Sequence, residues 1–117
     1  MHGSLRVKYL EGGARRTETE LMWNDPAGRN GLHASRRGIG HLFGADITRT
    51  LCDSLGIRAI CRSHEPAKAI DAPYVEHSGR IVTTSSTRAY RGRAFVIIVD
   101  PNAISDASTL RDAAVEL

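Results

Sequence analysis

Aromatic side chains are scarce, since one Trp, three Tyr and two Phe make up only 5% of 117 residues. That leaves too little stacking surface for a single-strand nucleic-acid binder. Cysteine is nearly absent, and Cys52 and Cys61 form no CxxC motif, which excludes a disulfide framework or a zinc ribbon. Both lie in apolar contexts and are expected to be buried free thiols. Long apolar runs are missing as well. A stretch such as residues 95–99 falls far short of the roughly 20 residues that cross a bilayer, and no charged-then-apolar leader opens the chain. A cytoplasmic protein is therefore expected. Charge of one sign is not concentrated anywhere: 16 basic and 13 acidic residues are interspersed, for a net charge of +3 and a pI near 9.2. This describes a mixed surface with no membrane and no nucleic-acid partner expected.

What remains has the balance of one globular domain, with 41% hydrophobic and 25% charged residues. Residues 1–9 read as weakly extended, and residues 11–16 as a loop broken by glycine and charge. Leu21, Met22 and Trp23 form a short apolar anchor stopped by Asn24-Asp25-Pro26. Residues 27–40, with an Asn30-Gly31 turn signal, read as a surface loop of a length that is usually functional or disordered. Residues 46–55 are expected to be helical, because Ile47, Leu51 and Leu55 recur at four-residue steps, Asp46 stands at the acidic end and Gly56 follows the last turn.

Strands are expected at residues 57–61, 74–77, 80–84 and 94–100, with Ser78-Gly79 as a tight turn. The last of these is almost uninterrupted apolar sequence, which predicts a central strand buried on both faces. Residues 107–117 read as a closing helix with Leu110, Ala114 and Leu117 on one side. The fold class is α/β (α+β), with a mixed, largely antiparallel sheet and packed helices.

Polar residues cluster at the ends of these elements, and their order is more informative than any one of them. Met22-Trp23-Asn24-Asp25-Pro26 is followed by Arg37-Gly38-Ile39-Gly40-His41-Leu42-Phe43-Gly44, then a helix, Ile60-Cys61-Arg62-Ser63-His64-Glu65, two strands, and residues 86–90 ending in Tyr90. This succession resembles the carboxyl-terminal half of the metal-dependent serine/threonine phosphoprotein phosphatases, which are calcineurin-like metallophosphoesterases. The resemblance runs from about Met22 to Pro101. It implies that residues 1–117 form a single partial domain, half of a four-layer αββα sandwich. Met1-His2-Gly3-Ser4 resembles that family's histidine-glycine-glycine segment, with serine in place of the final glycine.

The resemblance implies two divalent ions, Mn, Fe or Zn, bridged by a water or hydroxide that attacks a phosphoryl group in line. It makes His64 one metal ligand and His2 another. Neutral imidazole suits such ions. It makes Arg37 the arginine that grips substrate phosphate through a planar fork of charged donors, with Arg36 beside it a solvated charge. Tyr90 would bring a hydroxyl to the phosphate. Asp25 would orient Arg37 or a water, although an aspartate before proline is equally a turn residue. His33, His41 and His77 match no ligand position and read as surface or packing residues. Tyr90 is flanked by Arg88 and Arg91 where the family has proline-asparagine before its tyrosine, which points to a more anionic substrate.

The three amino-terminal blocks that supply the family's other ligands are absent, and no Gly-Asp dipeptide occurs. The chain on its own is therefore expected to be inactive or nearly so, and to complete itself with an amino-terminal half or to self-associate. The expected partner in catalysis is a phosphoprotein or phosphopeptide. Two alternatives stay open: a non-catalytic phosphate-binding or regulatory module, and a fragment resembling the diadenosine-polyphosphate hydrolases.

Overall fold

The computed structural model describes residues 15–117, with side chains from residue 18 onward. His2, the extended stretch expected at residues 1–9 and the first four residues of the loop expected at residues 11–16 lie outside the described residues, while Arg15 and Arg16 of that loop are helical instead. The chain divides into two compact units, Met1–Gly56 and Ile57–Leu117.

In the first unit, helix α1 (Arg15–Trp23) leads into strand β1 (Asp25–Pro26), followed by β2 (Leu32–Ala34), β3 (His41–Phe43) and helix α2 (Ala45–Leu55). The apolar anchor expected at Leu21-Met22-Trp23 is instead the end of α1. Its side chains are exposed, Met22 by 72%. The sheet order is β1-β3-β2, with β1 parallel and β2 antiparallel to β3. Pro26 is tolerated because β1 is an edge strand, where a missing N–H costs no ladder bond. The loop expected over residues 27–40 contains β2, since the turn at Asn30-Gly31 returns the chain along β3. Helix α2 forms where expected, and the Gly56 N–H donates to the Cys52 carbonyl at its end. Its most buried line is Thr48 and Cys52, one residue round from the predicted Ile47, Leu51 and Leu55.

Asp46, in the first turn of α2, reaches out of its helix. Both carboxylate oxygens accept from the Gly31 N–H, at 2.9 and 3.1 Å. That hydrogen bond, more than any other cause, lowers the Asp46 pKa below its ordinary 3.8. A carboxyl whose pKa falls on folding stabilises the fold above its unfolded value, and this contribution is lost as pH drops through the folded value. The melting temperature of the native chain is therefore expected to fall below about pH 4, and Asp46→Asn to flatten that fall. Equal pH profiles for the two proteins would count against the assignment.

The second unit carries β4 (Ile60–Arg62), helix α3 (Pro66–Ala69), β5 (Tyr74–Glu76), β6 (Ile81–Thr83), β7 (Phe95–Ile97), a 3-10 turn (Pro101–Ala103), helix α4 (Ala107–Asp112) and β8 (Ala114–Glu116). Strand β6 is central, with β4 parallel on one side and β5 antiparallel on the other. Ile81, Val82 and Thr83 are all buried. Val82 centres the core with Ala107 and Leu110 from α4, and Ala59, Val75, Ile97, Val99 and Ile104 pack around them. Asp106 caps α4 by accepting from the Thr109 N–H at 3.1 Å. The β5–β6 turn is wider than the two residues expected, because His77 and Ser78 both adopt left-handed backbone ahead of Gly79.

Strand β7 is not central. It pairs with β8 alone among the described strands, with Val96 opposite Val115. Ile97 faces the core, while Ile98 is 71% exposed, so the apolar run marks a strand buried on one face. The helix expected over residues 107–117 stops at Asp112, and Val115, β-branched and opposite Val96, continues as strand. Cys52 is buried as expected, but Cys61 is exposed, although desolvation still raises its thiol pKa. The mixed α/β class holds, with antiparallel pairs outnumbering parallel ones. No helix among the described residues is long and apolar enough to cross a membrane.

Candidate active site

The residues singled out from the sequence fall in both units, and each group is built within its own unit. In the first, Asn24 links α1 to β1, and its side-chain oxygen accepts from the His41 N–H at 2.8 Å, so a side chain extends the β1–β3 pairing. Asp25 follows and is 7% exposed. Its carboxylate accepts a charge-assisted hydrogen bond from Arg37 Nη2, an ion pair in a partly buried setting. The Arg37 guanidinium also lies 5.5 Å from the centroid of the Trp23 ring, a cation–π arrangement.

Arg37 is thus oriented by two residues of the same tryptophan-x-aspartate-proline block. Its side chain is still 38% exposed. Among the described residues its remaining guanidinium N–H groups have no other partner. The turn that carries it is held by the Arg37 N–H donating to Ser35 Oγ at 3.2 Å and the Gly38 N–H donating to the Ser35 carbonyl at 3.3 Å. Gly40 closes that turn at φ +72°, and a Cβ there would lie 2.2 Å from the Trp23 carbonyl oxygen. Only glycine lets the Arg37 turn run against the end of α1.

In the second unit, β4 delivers Arg62-Ser63-His64-Glu65 to the exposed end of the parallel pair. His64 is exposed and holds left-handed backbone, φ +68°. That conformation is uncommon for a residue with a Cβ, and such outliers gather at functional sites. The Tyr90 ring meets the imidazole edge-on, with centroids 6.5 Å apart and planes at 77°. The structure therefore brings His64 and Tyr90 together, as it does Asp25 and Arg37.

Residues on either side of His64 form a charged cluster that single-residue reading missed. Arg62 Nη1 donates to Glu65 Oε2 at 2.5 Å, and Lys68 Nζ lies 3.2 Å from Glu65 Oε1 and 2.6 Å from Glu76 Oε1. The three-residue spacing of Arg62, Glu65 and Lys68 around Pro66 was the available signal. His41, read as a surface or packing residue, keeps a buried Nδ1 without a hydrogen-bond partner among the described residues.

Among the described residues no three His, Cys, Asp or Glu side chains gather as a metal ion requires. His64 is a single candidate ligand, and its intended companion His2 lies outside the described residues. The described residues thus do not by themselves build a metal centre.

No family model matches the chain. It is 41% identical to serine/threonine-protein phosphatase T of Aspergillus oryzae over 61% of this chain and 14% of that protein. It is 39% identical to human serine/threonine-protein phosphatase 5, again over 61% of this chain and 14% of that protein. A protein of Encephalitozoon cuniculi named as a probable serine/threonine-protein phosphatase matches 87% of the chain at 32% identity, over 25% of its own length. Among solved structures, a serine/threonine phosphatase from Saccharomyces cerevisiae with similarity to human phosphatase PP5 superposes with a TM-score of 0.67 at 25% identity, covering 100% of this chain and 42% of that one. By these matches the chain is similar to a fragment of the phosphoprotein phosphatases. Its similarity is to phosphatase T, phosphatase 5 and the Encephalitozoon cuniculi protein, and it spans between 14% and 25% of the length of these curated relatives.

Proposed function

We propose that residues 1–117 are a single partial phosphoesterase domain, the phosphate-gripping half of a protein serine/threonine phosphatase acting on phosphoproteins. The observation that carries this reading is the Arg37 guanidinium, fixed by Asp25 and Trp23 yet left with unused donors. An arginine anchored along one edge loses little side-chain entropy when the rest of its fork takes a phosphate oxygen pair. In this reading Asp25 is a positioning residue, Tyr90 adds a hydroxyl donor, and His64 and His2 are this chain's ligands to the divalent ions that the family generally uses. The phosphatase names of the relatives and the shared fold support it.

Inorganic phosphate binding by the full chain, followed by 31P NMR, tests the reading. Arg37→Ala is expected to weaken it about tenfold or more, the worth of one charge-assisted hydrogen-bonded contact, and Arg37→Lys to recover only part. Unchanged affinity in Arg37→Ala would overturn it.

A second reading, a non-catalytic phosphate-binding module, is favoured by the lack of a three-ligand cluster among the described residues. Manganese-stimulated hydrolysis of p-nitrophenyl phosphate separates the two. Turnover abolished by EDTA and by His64→Ala means catalysis, while phosphate binding indifferent to chelator means the module.

A further inference from the structure

The segment joining β6 to β7 has a built shape and an unusual charge. Between residues 86 and 93 lie Arg88, Arg91 and Arg93 and no acidic residue. The buried Ser85 hydroxyl bonds both the carbonyl and the N–H of Thr87, the Ala89 N–H donates to Thr87 Oγ1 at 3.1 Å, and the Arg91 N–H donates to the Arg88 carbonyl at 3.0 Å. Gly92 seats the far end, since a Cβ there would stand 2.2 Å from the Ala69 carbonyl oxygen.

This fixed loop presents Tyr90 to His64 with an exposed arginine on either side. Arg93 is offset by Glu116 at 3.0 Å. Arg88 commits Nη2 to the Leu117 main-chain oxygen at 2.5 Å, which uses one of its five donors. Arg91 has no ion-pair partner among the described residues, and its backbone is held left-handed at φ +65°.

We propose that Arg88 and Arg91 are specificity-determining residues that select phosphopeptides carrying Asp or Glu beside the phosphorylated residue. The inference rests on the reading above, in which Tyr90 faces bound phosphate. A phosphate seated there places its neighbouring peptide residues over the two arginines, where carboxylates gain and neutral side chains do not. Both arginines are exposed, so each pair is worth only a few-fold and together about tenfold, fading at high salt.

The test uses the full chain and three peptides of equal length: a phosphoserine peptide flanked by aspartates, the same peptide flanked by alanines, and the unphosphorylated acidic peptide, with fluorescence anisotropy as readout. The acidic phosphopeptide is expected to bind about tenfold tighter than the alanine one. The Arg88→Ala/Arg91→Gly double variant should bring that ratio within about twofold while leaving the alanine phosphopeptide unchanged. Glycine suits the left-handed position, so Arg91→Gly alone should melt no lower than the native chain and still lose part of the preference. A preference that survives the double variant, binding without preference, or equal binding of a single-stranded oligonucleotide or of the unphosphorylated acidic peptide overturns this inference alone. No binding of either phosphopeptide overturns it together with the reading on which it rests.

Discussion

Gly40→Ala is expected to destabilise the first unit by about 3 kcal/mol, roughly 1 from left-handed backbone and roughly 2 from main chain that must move. The added methyl would stand 2.2 Å from the Trp23 carbonyl oxygen and 2.6 Å from its carbonyl carbon. Neither obstacle is the free end of a side chain, so one of the two backbones has to give. Whichever moves, the turn carrying Arg37 leaves Asp25 and Trp23, and phosphate affinity should fall about as far as in Arg37→Ala. Hydrogen exchange over residues 24–44 reads the first effect and 31P NMR the second. Unchanged protection and unchanged affinity would mean that the turn has room the geometry denies.

Gly40 also shows what kind of information a sequence holds. Its block, Arg37-Gly38-Ile39-Gly40-His41, is recognisable as a pattern, and in the structure Arg37 of that block pairs with Asp25. What the pattern omits is the reason for the spacing, which lies in a contact with Trp23 from the preceding block. Helix α2 was legible because its period, its acidic first turn and its glycine stop agree. Strands β5 and β6 were legible from β-branched content and an intervening turn, but β4 only in part, since the strand expected at residues 57–61 begins at Ile60. Strands β7 and β8 were not, because pairing partners decide which faces of an apolar run are covered. Residues 110–117 fit a helical stripe, yet Val115 finds Val96 across the ribbon, and the tertiary pair wins over local propensity.

The candidate site divides in the same way. Asp25, Arg37, His64 and Tyr90 were chosen by their place in motifs, and the structure gathers them into two local pairs. Residues that support them, Trp23, Glu65, Lys68 and Glu76, belong to no obvious chemistry by type. Glu76 enters the cluster because the antiparallel β5 sets it opposite Ile81 on the central strand. Supporting residues of this kind become visible only once strand order is known.

That cluster carries the second large expected effect. Arg62, Glu65, Lys68 and Glu76 have side chains only 15%, 13%, 17% and 12% exposed, so solvent screens them weakly. Lys68→Met keeps most of the aliphatic stem over the Tyr74 ring, which the ammonium approaches at 5.8 Å, but removes the cation facing two carboxylates. A largely buried carboxylate that loses its partner costs about 3 kcal/mol. Pairing Lys68→Met with Glu76→Leu removes both ends of the 2.6 Å bond, and the double variant should be less destabilised than the sum of the singles by about 1–2 kcal/mol. The consequence extends to His64, because Arg62 precedes it and Glu65 follows it. With Lys68 gone, Glu65 is held on one fewer side, and the edge-on contact of His64 with Tyr90 should loosen, weakening the nuclear Overhauser effect between the two rings. Strict additivity would show that Lys68 and Glu76 are uncoupled, each solvated on its own. An intact ring contact in Lys68→Met would show that the left-handed backbone at His64 sets the imidazole without help from its charged neighbours.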